Sequence, residues 1–222
     1  MIDRATEKMK SQALFYAGRL GLKIIPVERM GKRPFLENWT EKASNDPSQI
    51  REWWRRYPGS NIGIATGRVN DIIVLDIDCS DGKTGRETLE QWEEEHGPLP
   101  ETPTVITPTG GLHLYFRHPG FQVKNLVGKL APHIDIRSDG AQVVAPGSVR
   151  KEGAYQWAKG REFGKLEPAE LPEWLIEKLK GLHKTVKTDA VNDAVGRVWA
   201  EFVAGPEITG GRDDYLFRKV AC

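Results

Sequence analysis

Asp76 and Asp78 sit two residues apart in the run DIIVLDID, Asp135 lies in HIDIR, and His113 lies in LHLYF directly after a Thr-Gly-Gly turn. Side chains alternate along a strand with a period of two, which puts Asp76 and Asp78 on one face, roughly 7 Å apart. Two carboxylates so close repel each other unless a cation lies between them. Hard divalent ions such as Mg²⁺ or Mn²⁺ prefer such oxygens, and Asp135 can complete a three-carboxylate set. Thr107, Thr109, Gly110 and Gly111 crowd one turn with hydroxyls and accessible N–H groups, chemistry that suits a polyphosphate. His113 adds a donor beside that turn, and Arg137 and Ser138 are further candidates for phosphate contact. Together these residues read as one site, a pair of divalent ions with a triphosphate lying across them. Taken singly, each signal has a plainer reading: solvated acids at a strand end, or a structural histidine.

The flanking elements must position this set. Residues 5–20 read as an amphipathic helix, with Met9, Ala13, Tyr16, Ala17 and Leu20 at three- and four-residue steps and Gly21 as its stop. LKIIPV is a short strand, and GKRP is a turn with Lys32 and Arg33 at its tip, either a phosphate contact or a solvated basic loop. Asp46 and Pro47 open the helix PSQIREWWRRYP as N-cap and first residue. Ile50, Trp53, Trp54 and Tyr57 face a core, and the remaining arginines either track a nucleic-acid backbone or form a solvated face. NIGIATG is a strand ending in Thr66-Gly67. Thr84 to His96 is a helix with a Thr84–Glu87 capping box, closed by Gly97-Pro98.

TVITPTGG and LHLYF form a hairpin, with Leu112, Leu114 and Phe116 on one side and His113 and Tyr115 on the other. In HIDIR, Ile134 and Ile136 face a core while His133, Asp135 and Arg137 face away. Ser138-Asp139-Gly140 is a turn and AQVVAP a strand. The order strand, helix, strand, turn, strand resembles half of an antiparallel sheet with a crossing helix, as in ferredoxin- and RRM-like α+β folds. From Tyr155 the pattern weakens. GREFGKLEPAELP is linker-like, and PEWLIEKLKG is a helix whose Trp174, Leu175 and Leu179 cap the main domain.

The 222 residues suffice for one large domain or one domain with an appendage, and 39% hydrophobic with 28% charged is ordinary for a folded chain. A net charge of +1 excludes a global basic field but not a local groove. Cys79 and Cys222 have neither metal-knuckle spacing nor the number for a disulfide framework. The N-terminus lacks a signal peptide's apolar core, and no apolar run reaches the roughly 20 residues that span a bilayer. The expectation is a cytoplasmic protein without a membrane partner.

DID, TPTGGLHLYF and IDIRSDGAQVVAPGS, in that order, resemble the bifunctional DNA primase–polymerase (prim-pol) domain, a branch of the archaeo-eukaryotic primase superfamily found in plasmid, phage and mobile-element replication proteins. The resemblance covers roughly Ala13 to Trp174. It implies an RRM/ferredoxin-like catalytic sheet with an N-terminal α/β subdomain, and divalent metal on Asp76, Asp78 and Asp135. It also implies that His113 contacts the phosphates of an incoming nucleotide. The expected domains are 1–180 catalytic, 181–205 linker, and 206–222 the start of a helical domain cut short. The resemblance further implies a single-stranded DNA template, a primer and dNTP or NTP as partners. Two cysteines so far apart exclude the zinc-binding stem of some superfamily members, so no zinc is expected. No P-loop occurs, so a helicase module would belong to a longer protein.

On this resemblance one metal on Asp76, Asp78 and Asp135 would activate a 3′-hydroxyl, and a second on Asp76 and Asp78 would clamp the triphosphate. Tyr115, or another residue, would select the sugar. Two rivals remain open: a two-metal nuclease, and a non-catalytic replication-origin or single-strand DNA-binding module whose acids are structural.

Overall fold

A computed structural model describes residues 4–182. The helices are α1 (Arg4–Leu14), α2 (Trp39–Lys42), α3 (Pro47–Arg56) and α4 (Gly85–His96), with a π-helical turn, Phe15–Arg19, continuing α1. The strands are β1 (Ile24–Val27), β2 (Asn61–Ala65), β3 (Ile72–Ile77), β4 (Thr104–Ile106), β5 (Leu112–Arg117) and β6 (Leu126–Ala131). They continue with β7 (Ile134–Arg137), β8 (Gln142–Val144), β9 (Val149–Arg150), β10 (Gly153–Ala154) and β11 (Gln156–Trp157). The fold is α+β with antiparallel sheets.

Six strands form one sheet in the order β11-β4-β5-β3-β7-β6, every pair antiparallel. Helix α4 carries the chain from β3 to β4 and leaves a one-strand gap, which β5 fills by the expected hairpin. That is the order of a split β-α-β unit. A full β-α-β-β-α-β unit would join β5 to β7 through a second helix; here β6 stands in that stretch and extends the sheet. Strands β1, β2 and β8 form a separate antiparallel sheet, and β9 and β10 a hairpin.

Period-two alternation splits the large sheet between two cores. Ile73, Leu75, Ile77, Leu114, Phe116, Ile134 and Ile136 pack with Leu89 and Trp92 of α4 and with Leu175 and Leu179 of the helix at residues 173–182. On the opposite face Ile72, Val74, Val105 and Tyr115 pack with Tyr16, Trp53, Trp54 and the small sheet's Ile24, Ile62, Ile64 and Val143. Asp46 caps α3 as expected, accepting from the Ser48 and Gln49 N–H groups at 3.2 and 3.0 Å.

Several expectations need correction. Thr84 precedes α4 but makes no capping bond through its side chain; its Oγ1 and N–H meet His133 Nδ1 at 3.0 and 2.9 Å instead. His133 lies in a left-handed turn (φ 56°) before β7 begins, so it does not share the strand face of Asp135. The supposed linker after Tyr155 is tied down: β11 pairs with β4, Phe163 packs edge-on to Tyr115 and Trp157, and Arg117 N–H donates to Ala169 O at 2.8 Å. Of the expected linker 181–205, only residues 181 and 182 are described, and they continue the last helix. The expected helical start at 206–222 lies outside the described residues. No helix among the described residues is long and apolar enough to cross a membrane.

Candidate active site

Register aligns the key residues. Asp76 on β3 stands opposite His113 on β5 and opposite Asp135 on β7, so the three form a line across adjacent strands and share one face. His113 Nε2 lies 3.5 Å from Asp76 Oδ1. One step back, Val74 stands opposite Tyr115 and Arg137. From there Arg137 reaches diagonally, donating from Nε to Asp76 Oδ2 at 3.1 Å and from Nη2 to Asp135 Oδ2 at 3.0 Å. Like charges directly opposite on a sheet are destabilising; a planar guanidinium satisfies two carboxylates at once.

Asp78 lies one residue past the end of β3. Its N–H donates to His133 O at 2.9 Å, and its carboxylate accepts from the Ser80 N–H and Oγ at 3.1 and 2.8 Å, with Lys83 Nζ 3.6 Å away. Burial pushes this carboxyl up, but the Ser80 hydrogen bonds and Lys83 outweigh it and hold it below its ordinary value.

The face that carries Asp76 opens with β8 and the segments before β2 and after β8 into a cleft of about 330 Å³. Asp76, Asp78 and Asp135 line it together with Lys32, Arg137 and Arg150. Thr107, Thr109, His113, Gln142 and Tyr155 complete the polar lining. Burial pushes the His113 imidazole down; Asp76 opposes this, while Arg137 and Lys32 add to it. The ring is therefore neutral at pH 7. Its Nδ1 is buried without a hydrogen-bond partner, and the Tyr155 ring lies 5.7 Å away.

Among the described residues no three His, Cys, Asp or Glu side chains converge as a ligand group for a metal. Arg137 bridges Asp76 and Asp135, and Asp78 turns towards Ser80 and Lys83. The donor set nevertheless fits a hard divalent ion, because three carboxylates line one cleft and two of them already hold a cation, the guanidinium.

Other expected residues are not brought to the cleft. Ser138 is fully buried, with Oγ unpartnered, because alternation after Arg137 turns it to the opposite side. The Gly110 N–H is spent inside the turn on Thr107 O at 3.0 Å. Gly111 packs against the end of β3, where a Cβ would lie 2.4 Å from Ile77 O. Tyr115 is fully buried beside Phe163 and Trp157 and cannot meet a sugar.

Arg150, Tyr155 and Gln142 were missed. The Lys151-Glu152-Gly153 turn was a signal for the β9–β10 hairpin that delivers Arg150. Nothing local marks Tyr155, whose place depends on β11 pairing with a strand some fifty residues earlier, in the register Gln156 to Ile106.

No curated protein matches the chain. A family model does: that of the bifunctional DNA primase/polymerase, N-terminal domain matches residues 13–174, a span that contains every residue of the cleft. With the acids, the histidine and the cationic wall gathered inside that span, the chain belongs to the bifunctional DNA primase/polymerase family.

Proposed function

We propose that the cleft performs template-directed nucleotidyl transfer, extending a DNA 3′ end or starting a primer along a single strand from dNTP or NTP. The observation that carries this reading is the line His113–Asp76–Asp135 across three strands, facing Lys32, Arg137 and Arg150 in one cleft. Acids and cations on one small cleft suit a substrate that is both polyanionic and metal-bound, which a triphosphate is and a bare apolar ligand is not. The family to which residues 13–174 belong supports the same choice.

Asp76, Asp78 and Asp135 would hold Mg²⁺ or Mn²⁺, whose chemistry is to acidify a 3′-hydroxyl and to neutralise the triphosphate and its pyrophosphate leaving group. Lys32 and Arg150 bind the phosphates as fixed charges, and Arg137 joins them when it leaves the carboxylates. Thr107 and Thr109 donate hydroxyls from the turn. Neutral His113, one nitrogen buried and the other facing Asp76, donates Nε2–H to a phosphate oxygen. Much of the rate then comes from positioning and preorganised charge. A helicase module carried elsewhere would supply the single strand, and cytoplasmic DNA would be the template.

The test is synthesis on a single-stranded template with dNTP or NTP and Mg²⁺ or Mn²⁺, with and without primer, for wild type and Asp76→Ala. Product and pyrophosphate should form with the wild type and fall by at least ~10²–10³-fold in the variant, as for loss of a group that stabilises the transition state, while DNA binding persists. Near wild-type synthesis by Asp76→Ala overturns the assignment. Strand cleavage without pyrophosphate points to the nuclease, and metal-indifferent DNA binding without product to the binding module.

A further inference from the structure

Phe35 is 42% exposed, and its ring stacks on Tyr57 with centroids 4.8 Å apart and planes within 4°. The Arg56 guanidinium lies 5.5 Å from the Tyr57 ring centre. The Arg29 side chain covers Gly59 in the turn after Tyr57. Lys32 and Arg33 belong to the same hairpin as Phe35, closed by Glu28 N–H donating to Arg33 O at 2.8 Å and Phe35 N–H to Pro26 O at 3.2 Å. Met30, in that hairpin, is 50% exposed and its backbone bridges to Arg150 of the cleft.

Two features of this step need a reason. An aromatic pair is left open to solvent at its Phe35 end. Around it Arg29, Lys32, Arg33 and Arg56 are exposed, and among the described residues none has an ion-pair partner. Arg55, one residue from Arg56, is by contrast tied to Glu52 at 2.7 Å. A row of free cations beside a flat aromatic face matches a single-stranded nucleic acid, whose bases stack without sequence preference while its phosphates meet the cations. A protein partner of ordinary composition would not need a flat aromatic step beside cations that lack ion-pair partners. Lys32 links the step to the chemistry, because it lines the cleft three residues before Phe35.

We infer that the Phe35–Tyr57 step is a stacking platform for a base of the template strand, with Arg29, Arg33 and Arg56 holding the neighbouring phosphates. This rests on the reading of the cleft as a template-directed polymerase site. It assigns a role to the aromatic-basic helix α3 and to the GKRP turn as one surface.

The experiment is fluorescence anisotropy of a labelled oligo-dT, without nucleotide, across a salt series. It compares wild type, Phe35→Ala, Phe35→Trp and the double variant Arg33→Gln/Arg56→Gln. Phe35→Ala should bind about 5- to 160-fold more weakly, the range of base–aromatic stacking, and Phe35→Trp should bind as the wild type does. The double variant should lower the salt slope by about 1.4, roughly 0.7 for each cation lost on a single strand. Triphosphate affinity without DNA should not change in Phe35→Ala. Wild-type DNA affinity in Phe35→Ala, or an unchanged salt slope in the double variant, overturns the platform and leaves a protein-docking patch as the alternative. Those results leave the polymerase reading untouched; that reading falls only if Asp76→Ala still synthesises or the wild type makes no product.

Discussion

Asp76 and Asp135 stand directly opposite each other on β3 and β7, and the Arg137 guanidinium lies between them, 3.1 Å from one carboxylate and 3.0 Å from the other. The arginine is a tethered counter-ion in the place where two facing carboxylates require one. On the proposed reading, a metal ion at those oxygens would compete with the arginine, and a displaced guanidinium would be free for a phosphate.

Arg137→Gln should consequently separate the metal-free from the metal-bound protein. Without divalent ions the variant loses about 1–2 kcal/mol, between the values for exposed and buried pairs because these side chains are only partly buried. That is a fall of roughly 2–8 °C in midpoint for a domain of this size. Mn²⁺ should close most of the gap and bind the variant more tightly than the wild type. Thermal melts and Mn²⁺ titration calorimetry read both; weaker Mn²⁺ binding by the variant would show that Arg137 supports the ion and does not compete with it.

Gly110 and Gly111 adjoin in the turn but are needed for different reasons. Gly110 has φ +82° and open space around it, so Gly110→Ala costs the left-handed penalty of about 1–2 kcal/mol and little else. At Gly111 a Cβ would stand 2.4 Å from the backbone oxygen of Ile77, at the end of the strand that carries Asp76. Gly111→Ala should cost about 1–3 kcal/mol and also weaken triphosphate binding, because the turn bearing Thr107 and Thr109 must shift. Denaturant unfolding and nucleotide titration separate the two; equal nucleotide affinity in both variants would dissociate the turn from the site.

His118 sets a pH dependence of stability away from the cleft. Its ring is buried, its Nδ1 accepts from Gly120 N–H at 3.3 Å, and its Nε2 lies 3.6 Å from Asp139 Oδ1. Burial lowers its pKa, with Asp139 and Asp71 pulling upward and Arg68 downward. The unfolded chain, with an ordinary value of about 6.5, takes up the proton first as pH falls. Stability is therefore fully present above about pH 7 and declines on acidification below about 6.5. His113, lowered for the same reason, adds with the same sign. Between pH 7.5 and 5.5 the midpoint of His118→Gln should fall less steeply than that of the wild type, and parallel slopes would refute the assignment.

Much of this protein was legible locally. Alternation in DIIVLDID, LHLYF and HIDIR already put Asp76, His113 and Asp135 on faces opposite their apolar neighbours, because a pleated strand leaves no other choice. The Asp46 cap and the Gly97 end of α4 were equally local, since each is decided within a turn of chain; the start of α4 was not, because Thr84 turns to His133.

What only the tertiary structure decided is which faces meet. After β7 the chain changes sheets at Ser138–Ala141, so that β8 pairs with β2 and closes the cleft from the far side. Gln142 is brought in by that change. Arg150 and Tyr155 reach the cleft through a hairpin and a two-residue edge strand too short to leave a periodic trace. Whether Arg137 would meet a phosphate or a carboxylate could not be read along the chain either. Its partner Asp76 lies 61 residues earlier, and local alternation fixes the side of a strand, while the charge waiting across it depends on the pairing register.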